Sequence, residues 1–244
     1  MHWTTLAWLV PAGLLAGAVN TVAGGGSFVT LAVLLAAGVP APVANATNRV
    51  GVVVQSAVAA GRFRTHGVTG GDELWAQVAV TGGGAALGAW LSMRLDPEQF
   101  DRVLSVAMLG MLVVALARPR SWVEPGPARA ARWPALLAAG LYGGFLQAGV
   151  GVVLLPALVM LGGLDPVRAN ARKSLLVAAF TVPALALYAY AGLVAWVPGL
   201  VLAASSGVGA LLGVRLTVGY GPRFVWGVLV LVVVGNLVRA VVRP

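Results

Sequence analysis

Ten apolar runs follow one another along this chain, at about 5–22, 27–39, 46–61, 73–93, 101–117, 134–150, 152–163, 171–191, 195–214 and 223–241, and only short links part them. Any fold must keep nearly all of this surface away from water. A bundle of soluble size has too little interior for that, whereas hydrocarbon takes one run of ~20 residues per crossing. Composition agrees. Of 244 residues, 59% are hydrophobic and 9% are charged, where a soluble domain carries about 25% charged residues. A soluble domain, a disordered chain and a secreted disulfide module are excluded. The fold class is an all-α polytopic membrane protein with almost nothing outside the bilayer.

The charges sit in the links: Arg62 to His66, Arg94 to Glu98, the long 118–132 stretch, Asp165 to Arg168, and Tyr220 to Arg223. A net charge of +9 in such places reads as the positive-inside signal of membrane proteins, not as a nucleic-acid surface. With no cysteine in the chain, thiolate metal sites and thiol nucleophiles are excluded. The first run lacks a basic lead and does not read as a signal peptide.

The second and seventh runs, 27–39 and 152–163, are too short to cross hydrocarbon upright. Each follows a glycine cluster, Gly24-Gly25-Gly26 and Gly149-Val150-Gly151. Short or broken segments at matching places in two halves point to a transporter site. The halves do match at a constant offset of 125: Asn45 pairs with Asn170, Gly24 with Gly149, Gly26 with Gly151, Asn48 with Lys173, and Gly82–Gly88 with Gly207–Gly213. Such constancy marks a duplication, with a first repeat over 1–125, a connecting loop to about 132, and a second repeat over 133–244. Five segments per repeat is an odd number, so the copies should be inverted. With the N-terminus outside, the inside holds Arg62, Arg64, Arg118, Arg120, Arg129, Arg132, Arg168, Arg172, Lys173, Arg215 and Arg223. The outside holds Arg49, Arg94, Arg102, Arg239 and Arg243.

Two constellations carry chemistry. The first is Asn20-Thr21-Val-Ala-Gly24-Gly25-Gly26-Ser27, echoed by Gln147-Ala-Gly149-Val-Gly151. Glycines leading into a short helix expose N–H groups at the positive end of its dipole, which suits an anion; alternatively they let helices pack closely. The second is Asn45-Ala-Thr47-Asn48-Arg49 with Asn170-Ala-Arg172-Lys173. Both follow a proline suited to a first helical turn. The asparagines read either as caps or as ligands, and the cations would make a pocket positive. All seven acids (Asp72, Glu73, Asp96, Glu98, Asp101, Glu124 and Asp165) fall in links or at segment ends, leaving no mid-membrane carboxylate as a cation or proton site. The histidines, His2 and His66, lie outside the runs, so an intramembrane hydrolase has no base. The eight tryptophans lie mostly near run ends, as an interfacial belt does.

Gly17-Ala-Val-Asn20-Thr-Val-Ala-Gly-Gly-Gly-Ser27, then Pro42-Val-Ala-Asn45-Ala-Thr47, and their weaker second copy resemble the TauE/SafE sulfite-exporter family over nearly the whole chain. Val152 stands where the first copy has Ser27. The resemblance implies a small bacterial inner-membrane permease that moves sulfite, a sulfonate or a related sulfur-containing or organic anion, often outward. The expectation is a non-enzymatic transporter, without metal or cofactor, that binds its anion near the midplane between the repeats. Its partners would be the anion, the bilayer and a possible second copy, with no nucleic acid. A passive channel and a non-transporting scaffold are the competing readings.

Overall fold

In the computed structural model, residues 3–22, 24–68, 73–116 and 124–242 are described. His2, Asp72, Arg118, Arg120, Trp122 and Arg243, which the sequence brings forward, lie outside them. The described residues form nine α-helices and no strand: α1 (Trp3–Val22), α2 (Ser27–Ala36), α3 (Ala41–Thr65), α4 (Leu74–Ser92), α5 (Pro97–Leu116), α6 (Arg132–Phe145), α7 (Val150–Pro156, prolonged by a π-helical turn over Ala157–Leu161), α8 (Pro166–Tyr190) and α9 (Trp196–Val242). Two stretches, Pro166–Tyr190 and Trp196–Tyr220, are long and apolar enough to cross a bilayer, and Leu6–Val22, Ser27–Ala36 and Val150–Leu161 are shorter apolar helices.

Three boundaries differ from the hydropathy reading. First, α3 and α8 begin at Ala41 and Pro166, about five residues before their apolar runs. This corrects the placing of Arg49, Arg172 and Lys173 among the charges of the two membrane faces. All three are buried within helices, because Arg49 and Lys173 meet other helix ends, and Arg172 the Gln77 side chain, and not water. Secondly, α6 stops at Phe145, where Gln147 takes a left-handed conformation, φ 57°, that ends the helix. Thirdly, the Tyr220–Arg223 link does not break the chain, for α9 runs through it. Proline within a helix removes only its own N–H bond, and apolar surroundings tolerate that when the freed carbonyl is satisfied elsewhere.

Local chemistry accounts for the helix starts. Pro166 opens α8 at a position where a missing N–H costs nothing. The Asp165 carboxylate caps that turn, accepting from the N–H groups of Val167 and Arg168 at 3.0 Å each. Among the described acids, Glu73, Asp96, Glu98 and Asp165 stand at or beside helix starts, and Glu73 pairs with Arg132 at 2.8 Å, tying the start of α4 to that of α6.

The most extensive packing joins α1 to α9, α4 to α6, α3 to α9 and α3 to α8. Each pair takes one helix from each half of the chain. Small residues make the first two approaches possible. Gly13 and Gly17 of α1 lie against Ser205 and Ser206 of α9, while Gly209 and Gly213 of α9 lie against Leu14 and Ala18 of α1. Likewise Gly84 and Gly88 of α4 face Leu137 and Leu141 of α6, and Gly140 and Gly144 of α6 face Thr81 and Ala85 of α4. Gly84 and Gly88 precede Gly209 and Gly213 by the repeat offset. Backbones that touch in this way gain dispersion contacts, a main source of helix adhesion where lipid offers no hydrophobic driving force.

Candidate functional site

The two helix breaks meet. Between α1 and α2 the chain turns at Gly24 with φ 85°, and between α6 and α7 it turns at Gly149 with φ 74°. Both angles favour glycine. The first break then rests on Gly151 of the second, so closely that neither Gly24 nor Gly151 has room for a β-carbon. Gly26 is held as tightly against the backbone of Ala16. Glycine here serves close approach at one end of the cluster and a reversed turn at the other.

A cavity of about 20 Å³ opens beside this crossing, which is room for roughly one water molecule. Asn20, Thr21, Gly24 and Ser27 line it from the first break, Gln147, Val150 and Gly151 from the second, Val52, Gln55 and Ser56 from α3, and Lys173, Ser174 and Val177 from α8. No acid is among them. Val52 and Val177 are related by the repeat offset.

Several of the sequence-selected residues are drawn together here. Asn20 spans its own break: its Nδ2 donates to Ser27 Oγ at 3.0 Å, and its Oδ1 accepts from Ser27 N at 3.3 Å. The N–H groups of Phe28 and Val29 turn back to Gly25 O and Gly26 O. The opening N–H groups of α2 are therefore engaged within the protein. Thr21 Oγ1 donates to Gly17 O, leaving its carbonyl for Lys173.

The remaining candidates hold the ends of α1 and α6 beside the cavity. Lys173 Nζ donates to Asn20 O (2.8 Å), Thr21 O (3.2 Å) and Asn170 Oδ1 (2.6 Å), and Asn170 Nδ2 donates to Val22 O (3.0 Å). Thus α8 caps the end of α1. In return α3 caps the end of α6. Arg49 donates to Gly143 O (2.9 Å), Gly144 O (2.6 Å) and Gln147 Oε1 (2.9 Å), and Asn45 Nδ2 donates to Phe145 O (3.0 Å). Tyr188 completes this second cap: its ring lies 4.6 Å from the Arg49 guanidinium carbon, and its hydroxyl meets Ser92, Gly144 O and Phe145 O. A helix leaves its last carbonyls unsatisfied at the negative end of its dipole. Two buried cations placed there have their charge offset without any carboxylate.

Thr47, Asn48 and Arg172 point elsewhere. Thr47 Oγ1 accepts from Ala195 N at 3.0 Å, Asn48 Oδ1 accepts from Thr30 at 2.6 Å, and Arg172 donates to Gln77 Oε1 at 2.6 Å. Val52, Gln55, Ser56, Val150 and Val177 are lining residues that sequence reasoning did not select. Gln55 is 3% exposed, and its side chain makes no hydrogen bond. A lone glutamine directly after Val52-Val53-Val54 was the available signal, since a buried amide inside an apolar run needs a partner.

Apolar helices broken at two touching glycine turns, around a small polar cavity with a buried cation, are the arrangement of a helical membrane transporter. The chain belongs to the sulfite exporter TauE/SafE family, whose model matches residues 9–238. It is 28% identical to the probable membrane transporter protein YfcA of Escherichia coli K12, over 90% of this chain and 83% of that protein. It is 25% identical to the probable membrane transporter protein ORF9 of Sinorhizobium sp, over 98% and 93%. A probable membrane transporter protein of Haemophilus influenzae is 27% identical over 90% and 88%. No solved structure matches the chain. The protein is an integral membrane transporter.

Proposed function

We propose that this transporter carries a small sulfur-containing or organic anion, such as sulfite or a sulfonate, outward across the bacterial inner membrane. Two inverted repeats, 1–125 and 133–244, would alternate access to a site at the cavity. The observation that carries this reading is the contact of the Gly24 and Gly151 breaks beside a cavity that is lined by Lys173 and three side-chain amides, without any acid. Positive charge and N–H donors suit an oxyanion. The reciprocal caps support the repeats, since α8 serves α1 as α3 serves α6. So does the charge bias: among described side chains the proposed inner face keeps Arg62, Arg64, Arg129, Arg132, Arg168 and Arg215, against Arg94 and Arg102 outside.

The test is flux into liposomes that contain the purified protein, with sulfite, alkyl sulfonates and sulfate as the panel. Saturable movement of at least one sulfur oxyanion is expected. Flux no faster than through protein-free liposomes for the whole panel overturns the proposal, as does a non-saturating conductance.

A further inference from the structure

Gln147 is 1% exposed and occupies the break between α6 and α7 in a left-handed conformation, φ 57°. Such a backbone is uncommon outside glycine, so the side chain is held where an ordinary turn would not put it. Its Oε1 accepts from Arg49 Nη1 at 2.9 Å and lies 3.4 Å from Thr181 Oγ1. A guanidinium has five donors and no acceptor. Only the amide oxygen can therefore face Arg49, and the amide nitrogen must turn away from it. That nitrogen is buried and has no partner, in a residue that lines the cavity. The guanidinium itself cannot swing aside freely, because it also holds Gly143 O and Gly144 O and lies over the Tyr188 ring.

Apart from Gln55, the cationic and amide donors around the cavity are differently placed. The three N–H bonds of Lys173 are already directed at Asn20 O, Thr21 O and Asn170 Oδ1, and the Asn20 amide is directed at Ser27. The Gln147 NH2 is a donor that the protein has buried, oriented and left unspent. A buried donor without a partner costs free energy, and a ligand that accepts hydrogen bonds recovers it.

We propose that Arg49 is a positioning residue of the substrate site, which fixes Gln147 as a donor-only ligand to the transported anion. This rests on the transport reading above and adds a specificity device to it. An anion with lone pairs directed at the NH2 is favoured. A cation or a donor-bearing solute meets a group that cannot reverse, since turning the amide would set N–H against N–H at Arg49.

Equilibrium binding of radiolabelled sulfite to the purified protein in nanodiscs tests this, with thermal unfolding of the same samples. Gln147→Glu keeps the length of the side chain and still accepts from Arg49, so its melting temperature should match or exceed that of the wild type. Its affinity for sulfite should fall about tenfold or more, because the donor has become an anion. Gln147→Met, which removes the amide without adding charge, should show a loss in the same direction. Arg49→Lys should weaken binding in the wild-type background yet add no further loss to Gln147→Glu, the mark of two residues acting through one contact. Unchanged affinity in both Gln147 variants, or fully additive losses with Arg49→Lys, overturns the inference and leaves the transport reading standing. Absence of saturable binding of sulfite and alkyl sulfonates to the wild type overturns both.

Discussion

A β-carbon placed on Gly24 would overlap the α-carbon of Gly151, and one placed on Gly151 would overlap the α-carbon of Gly24. The turn at Gly24 and the start of α7 at Gly151, more than a hundred residues apart, form one contact. Gly151→Ala should therefore destabilise the purified protein by about 1–3 kcal/mol through overpacking. Gly24→Ala should cost about 1 kcal/mol more, for the strain of its positive φ. Gly38, at φ 77° with nothing within 4 Å, is the control, because its alanine variant bears that strain alone. Thermal unfolding of the three variants decides, and a Gly151→Ala protein no less stable than wild type would contradict the tight crossing.

Asn45 and Asn170 each spend an N–H on a helix-end carbonyl, that of Phe145 and that of Val22. Asn170→Ala leaves its carbonyl unpaired, at about 1–3 kcal/mol, while Asn45→Ala removes one of two donors to Phe145 O, at about 1 kcal/mol, because Tyr188 still donates there. We expect lower melting temperatures, with unchanged anion affinity in the protein that survives purification. A tenfold loss of affinity at unchanged stability would instead make the asparagines ligands.

Gln55 behaves in the opposite sense. It lines the cavity and makes no hydrogen bond within the protein, so Gln55→Leu removes no internal contact and should not lower the melting temperature. If the amide meets the anion, the loss of about 1 kcal/mol for one hydrogen bond weakens apparent transport affinity roughly fivefold. Flux measured against substrate concentration would show it as a raised KM.

His66 and Ala191 are exposed and related by the repeat offset. Inverted repeats place them on opposite sides of the membrane. In this cysteine-free chain, His66→Cys should react with an impermeant maleimide only from the cytoplasm and Ala191→Cys only from outside. Labelling of both from one side would refute the inversion.

The described acids stand in the opening turns of helices or in the links, and none of them lines the cavity. Single carboxylate-to-amide changes at Glu73, Asp96, Glu98, Asp101, Glu124 and Asp165 should each leave flux above about half of wild type. Asp165→Asn keeps an oxygen that can cap α8, so it should also keep stability; Asp165→Ala should lose about 1 kcal/mol. Complete loss of flux in any amide variant at normal protein level would reveal a carboxylate relay.

Much of this architecture was legible in the residues. Apolar runs located the helices, since lipid and a close-packed interior both demand them. Glycine clusters located the breaks, because Gly24 and Gly149 take backbone angles that few other residues accept. The offset of 125 foretold that Asn45 and Asn170 would do the same work, although it could not say whether that work was capping or binding. Charge counting failed at Arg49, Arg172 and Lys173, which it set on the membrane faces although they lie within apolar runs. A polar residue that faces water and one that faces another helix's unsatisfied carbonyls look alike in a window of sequence. The distinction lies in α3 meeting the end of α6, and α8 the end of α1, contacts between residues about 100 to 150 positions apart. The sequence by itself therefore determined which segments are helical and that two of them break at glycine clusters. Tertiary structure decided which polar groups are spent inside the protein and which, as at Gln55 and Gln147, are left facing the cavity. The physical reason is that a hydrogen bond is local in space and not in the chain.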